Sequence, residues 1–379
     1  MKIVYCIRAT YNPGGMERVL LNKVSWLVKR MGWDVTIATT DQQGRQPFYP
    51  FPEEVRMVDL GIDYADDNDK NVFKKIVGYL RRRRIHKERL TALLMREKAD
   101  IVVSLYPSES SFIPDIKDGS RKVLELHFCK FFRLQYGRGG LLGLIDRWRT
   151  RQDERIARKF DRFVVLTEED KGYWGEMPNI TVIPNAAVFV KNKRSDLTVK
   201  KVIAAGRLDY QKGFDRLIQA WEMVQRDGKF ADWILNIFGQ GEWHDMLEDM
   251  IVGKGLCDSL YINKPTNGIW DEYVNSSILV MTSNYEGFGM VLVEAMACGV
   301  PTIAFDCKCG PRDIIDHGKN GLLVPDGDIS GLAEAMMRLM ADEEERRAMS
   351  RNALKVVDTY SEEAVMAKWI ALFSNLIQR

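Results

Sequence analysis

Short runs of β-branched and aliphatic residues alternate with amphipathic helical segments along nearly the whole chain, and this alternation narrows the fold to parallel sheets with crossover helices. A strand covered on both faces reads as an unbroken apolar run, and it needs a long crossover to reach a parallel neighbour. In the first half such runs predict strands at residues 3–7, 34–39, 101–105, 122–126 and 162–166. Between the first two lies a stretch, 16–30, with Val19, Leu20, Val24 and Leu27 at helical spacing. The second half repeats the scheme at 201–205, 233–238, 260–262, 278–282, 301–305 and 321–324. A chain of 379 residues is long for a single domain of about 100 to 200 residues. Two doubly wound Rossmann-like α/β domains are therefore expected.

The join is expected where Thr181-Val182-Ile183-Pro184-Asn185-Ala186 gives way to the polar Lys191-Asn192-Lys193-Arg194-Ser195-Asp196. Residues 1–186 would form an N-terminal domain and residues 196–360 a C-terminal one. No apolar run approaches the roughly 18 residues of a membrane span. Met1 is followed at once by a strand-like run, without the pattern of a secretory signal, so a cytoplasmic location is expected. Six scattered cysteines suit reduced thiols better than a disulfide framework. Cys307-Lys308-Cys309 lacks a second Cys or His pair at zinc-ligand spacing.

Net charge divides unevenly. Residues 1–186 carry 33 Lys and Arg against 25 Asp and Glu, and residues 187–379 carry 22 against 28. The basic excess falls in residues 70–98, which include Arg81-Arg82-Arg83-Arg84, and in residues 121–149. There Phe128, Phe131, Phe132, Leu134, Leu141, Leu142 and Trp148 are interleaved with Lys130, Arg133 and Arg138. Such a face suits an anionic membrane surface at which the protein would be peripheral. A solvated helix face is the plainer reading.

Three loops carry the pattern of phosphate and sugar binding. The first predicted strand leads into Pro13-Gly14-Gly15, where a glycine turn before a helix exposes N–H groups to an anion. The second half opens with Gly206-Arg207-Leu208 and Lys212-Gly213, so that Arg207 and Lys212 bracket a turn at a strand's carboxyl end, where doubly wound folds take their ligands. The third loop is Glu286-Gly287-Phe288-Gly289, followed by a helix from Met290. Its glycines free the backbone, the N–H groups of Met290 and Val291 would face an anion, and Glu286 and Glu294 place two carboxylates near one ligand. A carboxylate accepting two vicinal hydroxyls grips a ribose or pyranose.

In these motifs the chain resembles the retaining glycosyltransferases of family 4, which have the GT-B fold. Glu286 and Glu294 match the family's element of two glutamates separated by seven residues. The likeness also runs through Gly14-Gly15-Met16-Glu17-Arg18, Gly206-Arg207-Leu208 with Lys212-Gly213, Glu294-Ala295-Met296-Ala297-Cys298-Gly299-Val300-Pro301 and Asn320-Gly321-Leu322-Leu323-Val324. Gly310-Pro311-Arg312-Asp313-Ile314-Ile315 looks like a subgroup using UDP-hexoses or UDP-N-acetylhexosamines. The resemblance implies that Arg207 and Lys212 hold the diphosphate and that Glu294 binds the ribose. It gives Glu286, with the backbone of residues 287–290, to the donor sugar, and makes His127 the sugar-proximal histidine.

It further implies that the N-terminal domain receives a saccharide acceptor, and that the segment 361–379, with Val365, Trp369, Leu372 and Leu376 on one helix face, packs back onto that domain. A polyprenyl-diphosphate-linked saccharide in cell-surface polysaccharide assembly is the preferred acceptor. Nothing points to nucleic acid. No cofactor or metal is called for, because departure of the diphosphate would be assisted by Arg207, Lys212 and helix N-termini in a front-face transfer. Asp67-Asn68-Asp69 and Asp326-Gly327-Asp328 fit a metal-binding Asp-x-Asp pattern but lie in turn-like contexts. The rival functions are a sugar-nucleotide 2-epimerase and a non-catalytic sugar-nucleotide-binding subunit.

Overall fold

The computed structural model describes residues 1–64, 72–134, 140–190 and 193–378, without the side chains of 72–76, 141 and 142. Asp67-Asn68-Asp69, Lys70 and Arg138 therefore lie outside the described residues, as do the side chains of Leu141 and Leu142. The chain divides into two compact units. Unit 1 comprises Met1–Leu166, Lys171–Ala186 and Val365–Arg379, and unit 2 comprises Thr167–Asp170 and Ala187–Ala364.

Unit 1 holds strands β1 (Lys2–Ile7), β2 (Asp34–Thr39), β3 (Arg56–Asp59), β4 (Ile101–Ser104), β5 (Arg121–Glu125), β6 (Arg162–Val165) and β7 (Ile180–Val182). They form one sheet in the order β3-β2-β1-β4-β5-β6-β7, with every pairing parallel. Its principal helices are α1 (Gly15–Met31), α2 (Val72–Glu97) and α3 (Gly140–Ala157), and a short helix α4 (Glu168–Trp174) begins among the residues of unit 2. The order reverses between β1 and β4, the kind of position where ligand crevices open.

Unit 2 repeats the plan with β8 (Lys201–Ala205), β9 (Ile234–Phe238), β10 (Leu260–Asn263), β11 (Ile278–Met281), β12 (Thr302–Phe305) and β13 (Gly321–Val324), parallel throughout in the order β10-β9-β8-β11-β12-β13. Helices α5 (Phe214–Arg226), α6 (His244–Gly253), α7 (Ile269–Val274), α8 (Met290–Ala297) and α9 (Pro311–Ile314) follow successive strands, then α10 (Ile329–Ala341), α11 (Glu343–Ala353) and α12 (Val356–Tyr360). Helix α13 (Glu362–Ile377) lies almost wholly in unit 1.

The cores explain the sequence pattern. β1 and β4 are buried along almost their whole length, so their residues are apolar without alternation. α1 buries Leu20, Val24 and Leu27 on one stripe, and ends where Gly32 turns left-handed and the N–H of Trp33 bonds to the Leu27 carbonyl. α13 sets Val365, Met366, Trp369, Phe373 and Leu376 into the same apolar cluster as that stripe, with the Trp369 and Phe373 rings 5.2 Å apart. The amide hydrogens of Glu168 and Glu169 bond to the Asp313 carboxylate, and the Glu169 carboxylate accepts from the N–H of Cys309. These contacts explain why Thr167–Asp170 groups with unit 2 although the chain around it belongs to unit 1.

Candidate active site

In unit 2 the loops after β8, β11 and β12 meet at the carboxyl ends of their strands. Lys212 reaches the loop after β11, where its Nζ donates to Glu286 Oε1 at 2.6 Å. The same oxygen accepts from Ser283 Oγ at 2.6 Å. Both partners are well covered, with side-chain exposures of 16% for Lys212 and 7% for Glu286, so the ion pair is shielded from solvent screening. The Lys212 stem runs against Gly206, where a Cβ would stand 3.1 Å from Lys212 Cγ, Cδ and Cε. Arg207 behaves differently: its side chain is 68% exposed, and it bonds to Gln211 Oε1 at 2.6 Å and pairs with Asp209 at 3.0 Å. Gln211 in turn donates to the Tyr285 carbonyl at 3.2 Å, which ties the Arg207 loop to the glutamate loop.

Gly289 caps α8 in a left-handed conformation, φ 95°, which a side chain rarely adopts. The helix it starts offers the N–H groups of its first turn, including Met290 and Val291, without carbonyl partners from the helix itself. Phe288 is buried edge-on against Tyr360, with ring centroids 5.4 Å apart, and Gly287 is half-buried beside it. Glu294, one turn into α8, accepts from Tyr273 Oη at 3.1 Å. Burial, with Glu294 next in weight, pushes the Cys298 thiol up to about 12, and burial likewise raises Cys307. Neither thiol is thereby prepared as a nucleophile.

Asp326 and Asp328 already have structural work. Asp326 pairs with Arg216 at 2.9 Å, and Asp328 caps α10 by accepting from the N–H of Gly331 at 2.9 Å.

In unit 1 the Gly14-Gly15 turn precedes α1. The Glu17 carboxylate folds back over the Gly14 Cα, into the space a side chain there would take. Gly15 has open space in that direction. Burial raises the Glu17 carboxyl, against opposition from its own backbone N–H, Asn12 and His127. His127 follows β5 with its side chain 6% exposed, and its Nε2 lies 3.2 Å from Glu125 Oε1. Lys23 of α1 pairs with that same oxygen and lies 3.7 Å from the centre of the Trp369 ring. Burial by itself would raise the Glu125 carboxyl, but Lys23 and His127 outweigh it and hold it down to about 2.

The structure thus joins Lys212 to Glu286 directly and Arg207 to the same region through Gln211. It sets Gly14, Gly15 and His127 in unit 1 and the remaining predicted residues in unit 2. Sequence reasoning missed Ser283, Gln211, Tyr273, Glu17, Glu125 and Lys23. The last two carry a faint signal, each being a charge inside an otherwise apolar stripe or strand.

The basic segments need correction. Arg82 bonds to the Asp63 carbonyl and Arg83 to Ser111 Oγ, so Arg81 to Arg84 do not form one exposed tetrad. Lys130 pairs with Glu154 at 2.6 Å and bonds to the Tyr173 carbonyl, while Arg133 is tied to Asp153 and to Tyr106 Oη. Phe131 and Phe132 are half-buried and Phe128 is exposed, as is Trp148 further along. Leu134 is half-buried too. Residues 128–134 are thus a folded, internally paired loop.

Two doubly wound units, each with an all-parallel sheet and ligand-type loops at its strand carboxyl ends, are the elements of the GT-B fold. Residues 187–356 match the family described as Glycosyl transferases group 1, and residues 13–187 match Glycosyltransferase Family 4. The chain belongs to these glycosyltransferases. An exopolysaccharide phosphotransferase of Streptomyces coelicolor is 37% identical over 229 residues, which are 59% of this chain but only 24% of that protein. The amylovoran biosynthesis glycosyltransferase AmsD of Erwinia amylovora is 29% identical over 97% of this chain and 98% of its own. The pneumococcal O-GlcNAc transferase GtfA, solved with UDP and GlcNAc, has the same fold: TM-score 0.77, 14% identity, 100% of this chain and 99% of that one.

Proposed function

We propose that the chain transfers a hexose or N-acetylhexosamine from a UDP-sugar to a saccharide acceptor, with retention of configuration, in the synthesis of a cell-surface polysaccharide. The observation that carries this reading is the shielded Lys212–Glu286 pair beside the α8 N-terminus, which sets a cation and N–H donors next to a carboxylate. A leaving diphosphate needs the former and sugar hydroxyls the latter. Glu294, held by Tyr273, is the ribose ligand in this reading, and Arg207 is a second, more exposed phosphate contact. His127 contacts the donor sugar. A front-face transfer asks for no metal, and Asp326 and Asp328 have the structural partners described above. The likeness to AmsD supports the polysaccharide setting, and the UDP in the GtfA structure supports the nucleotide.

The test is a screen of UDP-glucose, UDP-galactose, UDP-N-acetylglucosamine, GDP-mannose and ADP-glucose for nucleotide release and thermal stabilisation. A UDP-sugar should raise the melting temperature and be turned over. Stabilisation by GDP- or ADP-sugars alone would reject the donor assignment. Conversion of UDP-N-acetylglucosamine to its 2-epimer without an acceptor would favour the epimerase, and binding without turnover of any donor would favour a non-catalytic subunit.

The acceptor in this reading is a polyprenyl-diphosphate-linked saccharide at an anionic membrane. Its support moves from the Phe128–Arg133 stretch to α3, where Leu144, Ile145 and Trp148 are exposed on one face with Arg147, Arg149 and Arg151 exposed around them. No helix among the described residues is long and apolar enough to cross a membrane. Surface attachment by apolar side chains flanked by cations is what α3 offers, at about 1 kcal/mol per charge. Vesicles containing a third anionic phospholipid should sediment the protein, neutral vesicles should not, and 0.5 M salt should release it. Replacing Trp148, Arg147 and Arg149 with Ser, Gln and Gln should abolish the effect. Equal binding to both vesicle types, or none to either, would leave a water-soluble acceptor.

A further inference from the structure

Behind His127, the core of unit 1 contains a lysine–glutamate pair of an unusual kind. Lys23 and Glu125 have side-chain exposures of 5% and 1%, and they sit in the same apolar surroundings as Tyr5 and Trp369. Burying two charges is seldom a net gain in stability over apolar residues of similar volume, so such a pair calls for another explanation. Its geometry supplies one. A single oxygen, Glu125 Oε1, receives both Lys23 Nζ and His127 Nε2. A carboxylate only accepts, so His127 Nε2 must carry the proton of that bond. In the neutral ring, Nδ1 is then left as an acceptor, and it is buried without a partner among the described residues.

We infer that Lys23 and Glu125 are positioning residues, which fix His127 in its Nε2–H tautomer so that Nδ1 accepts a hydrogen bond from a sugar hydroxyl. The inference rests on the reading of His127 as a donor-sugar contact. Lys23 keeps Glu125 an anion, Glu125 orients the ring, and the Trp369 face covers the lysine from α13. A histidine's free nitrogen is set by the bond its other nitrogen makes. A hydroxyl donor is thereby selected over an acceptor-only group such as a phosphate oxygen at this point of the site.

The experiment compares two charge-neutral double variants of the full chain. Lys23→Met with Glu125→Gln keeps a carbonyl oxygen to accept from Nε2–H, whereas Lys23→Met with Glu125→Leu does not. The probe is the set of ring nitrogen signals of the ligand-free protein, which has only four histidines, with His127→Asn as the assignment control. The wild type and the glutamine double should show His127 as the Nε2–H tautomer. The leucine double should show mixed tautomers and a kcat at least tenfold lower, with KM changed by less than threefold, in the assay with the UDP-sugar from the donor screen. If both doubles keep the wild-type tautomer, or the leucine double keeps wild-type kcat, the positioning role is wrong. Should the leucine double not fold, loss of the Nε2–H tautomer in the glutamine double would overturn the inference and its retention would support it. If the tautomer responds as expected while His127→Asn leaves kcat unchanged, the positioning stands and the sugar-contact reading of His127 fails.

Discussion

Replacing Lys212 with alanine is expected to lower kcat by about a hundredfold to a thousandfold, the range found when one preorganised donor to developing charge is removed. KM should change by less than tenfold, because the countercharge matters most as the diphosphate departs. The structure explains why the effect should be large. Lys212 is well covered and directly bonded to Glu286, so its removal also leaves a buried carboxylate without its cation, next to Ser283. Arginine should not substitute well, since a planar guanidinium cannot reproduce the compact single bond of the Lys212 ammonium to Glu286 Oε1. Arg207→Ala should cost less, its side chain being mostly exposed and bonded to Gln211 and Asp209 rather than to Glu286. The measurement is steady-state kinetics with the preferred UDP-sugar. A Lys212→Ala enzyme within threefold of wild-type kcat would remove the lysine from the reaction.

The second large effect is on stability. Trp369→Ala should destabilise unit 1 by about 3–5 kcal/mol, the usual cost of truncating a fully buried aromatic residue. Trp369 is 1% exposed, stacks near Phe373 and covers the Lys23 ammonium, so the cavity opens beside a buried charge. Because two units can unfold separately, a single melting temperature would blur the result. Hydrogen exchange resolved along the chain is the better readout. Amides of α1 and β1 should lose protection, while those of β8 and β11 should keep it. A loss below about 1 kcal/mol, or one spread evenly over both units, would contradict the packing described for α13.

Much of the fold was legible because a parallel sheet covered on both faces must be built from contiguous apolar runs, and these stand out in β1, β2, β4, β8, β11 and β12. The two strands that went unread show the limit. β3 reads Arg-Met-Val-Asp with three of its four residues exposed, and β7 has only three residues at the opposite edge, so neither carries the signal of a buried strand. The glycine loops were legible for a related reason, since a left-handed cap such as Gly289 leaves a mark on the sequence. Partners of charged residues leave none. Lys130 and Arg133 looked like surface cations, yet their carboxylates lie some twenty residues along the chain on α3. Lys23 sits beside Val24 of the α1 stripe, and only the fold brings Glu125 to it across 102 positions.

Unit 1 is assembled from segments that leave the ribosome far apart in time. Its stretch up to Ala186 is synthesised first, but Val365 and the residues after it come only when all of unit 2 has been made. At about 5–20 residues per second, that delay is roughly ten to forty seconds. Through that interval the apolar stripe of Leu20, Val24 and Leu27 and the rings of Tyr5 and Trp33 lack Trp369 and Phe373. Lys23 and Glu125 likewise lack their aromatic cover. A nascent chain in this state is a natural client for chaperones. Unit 2, whose main segment runs unbroken from Ala187 to Ala364, can close before unit 1 does.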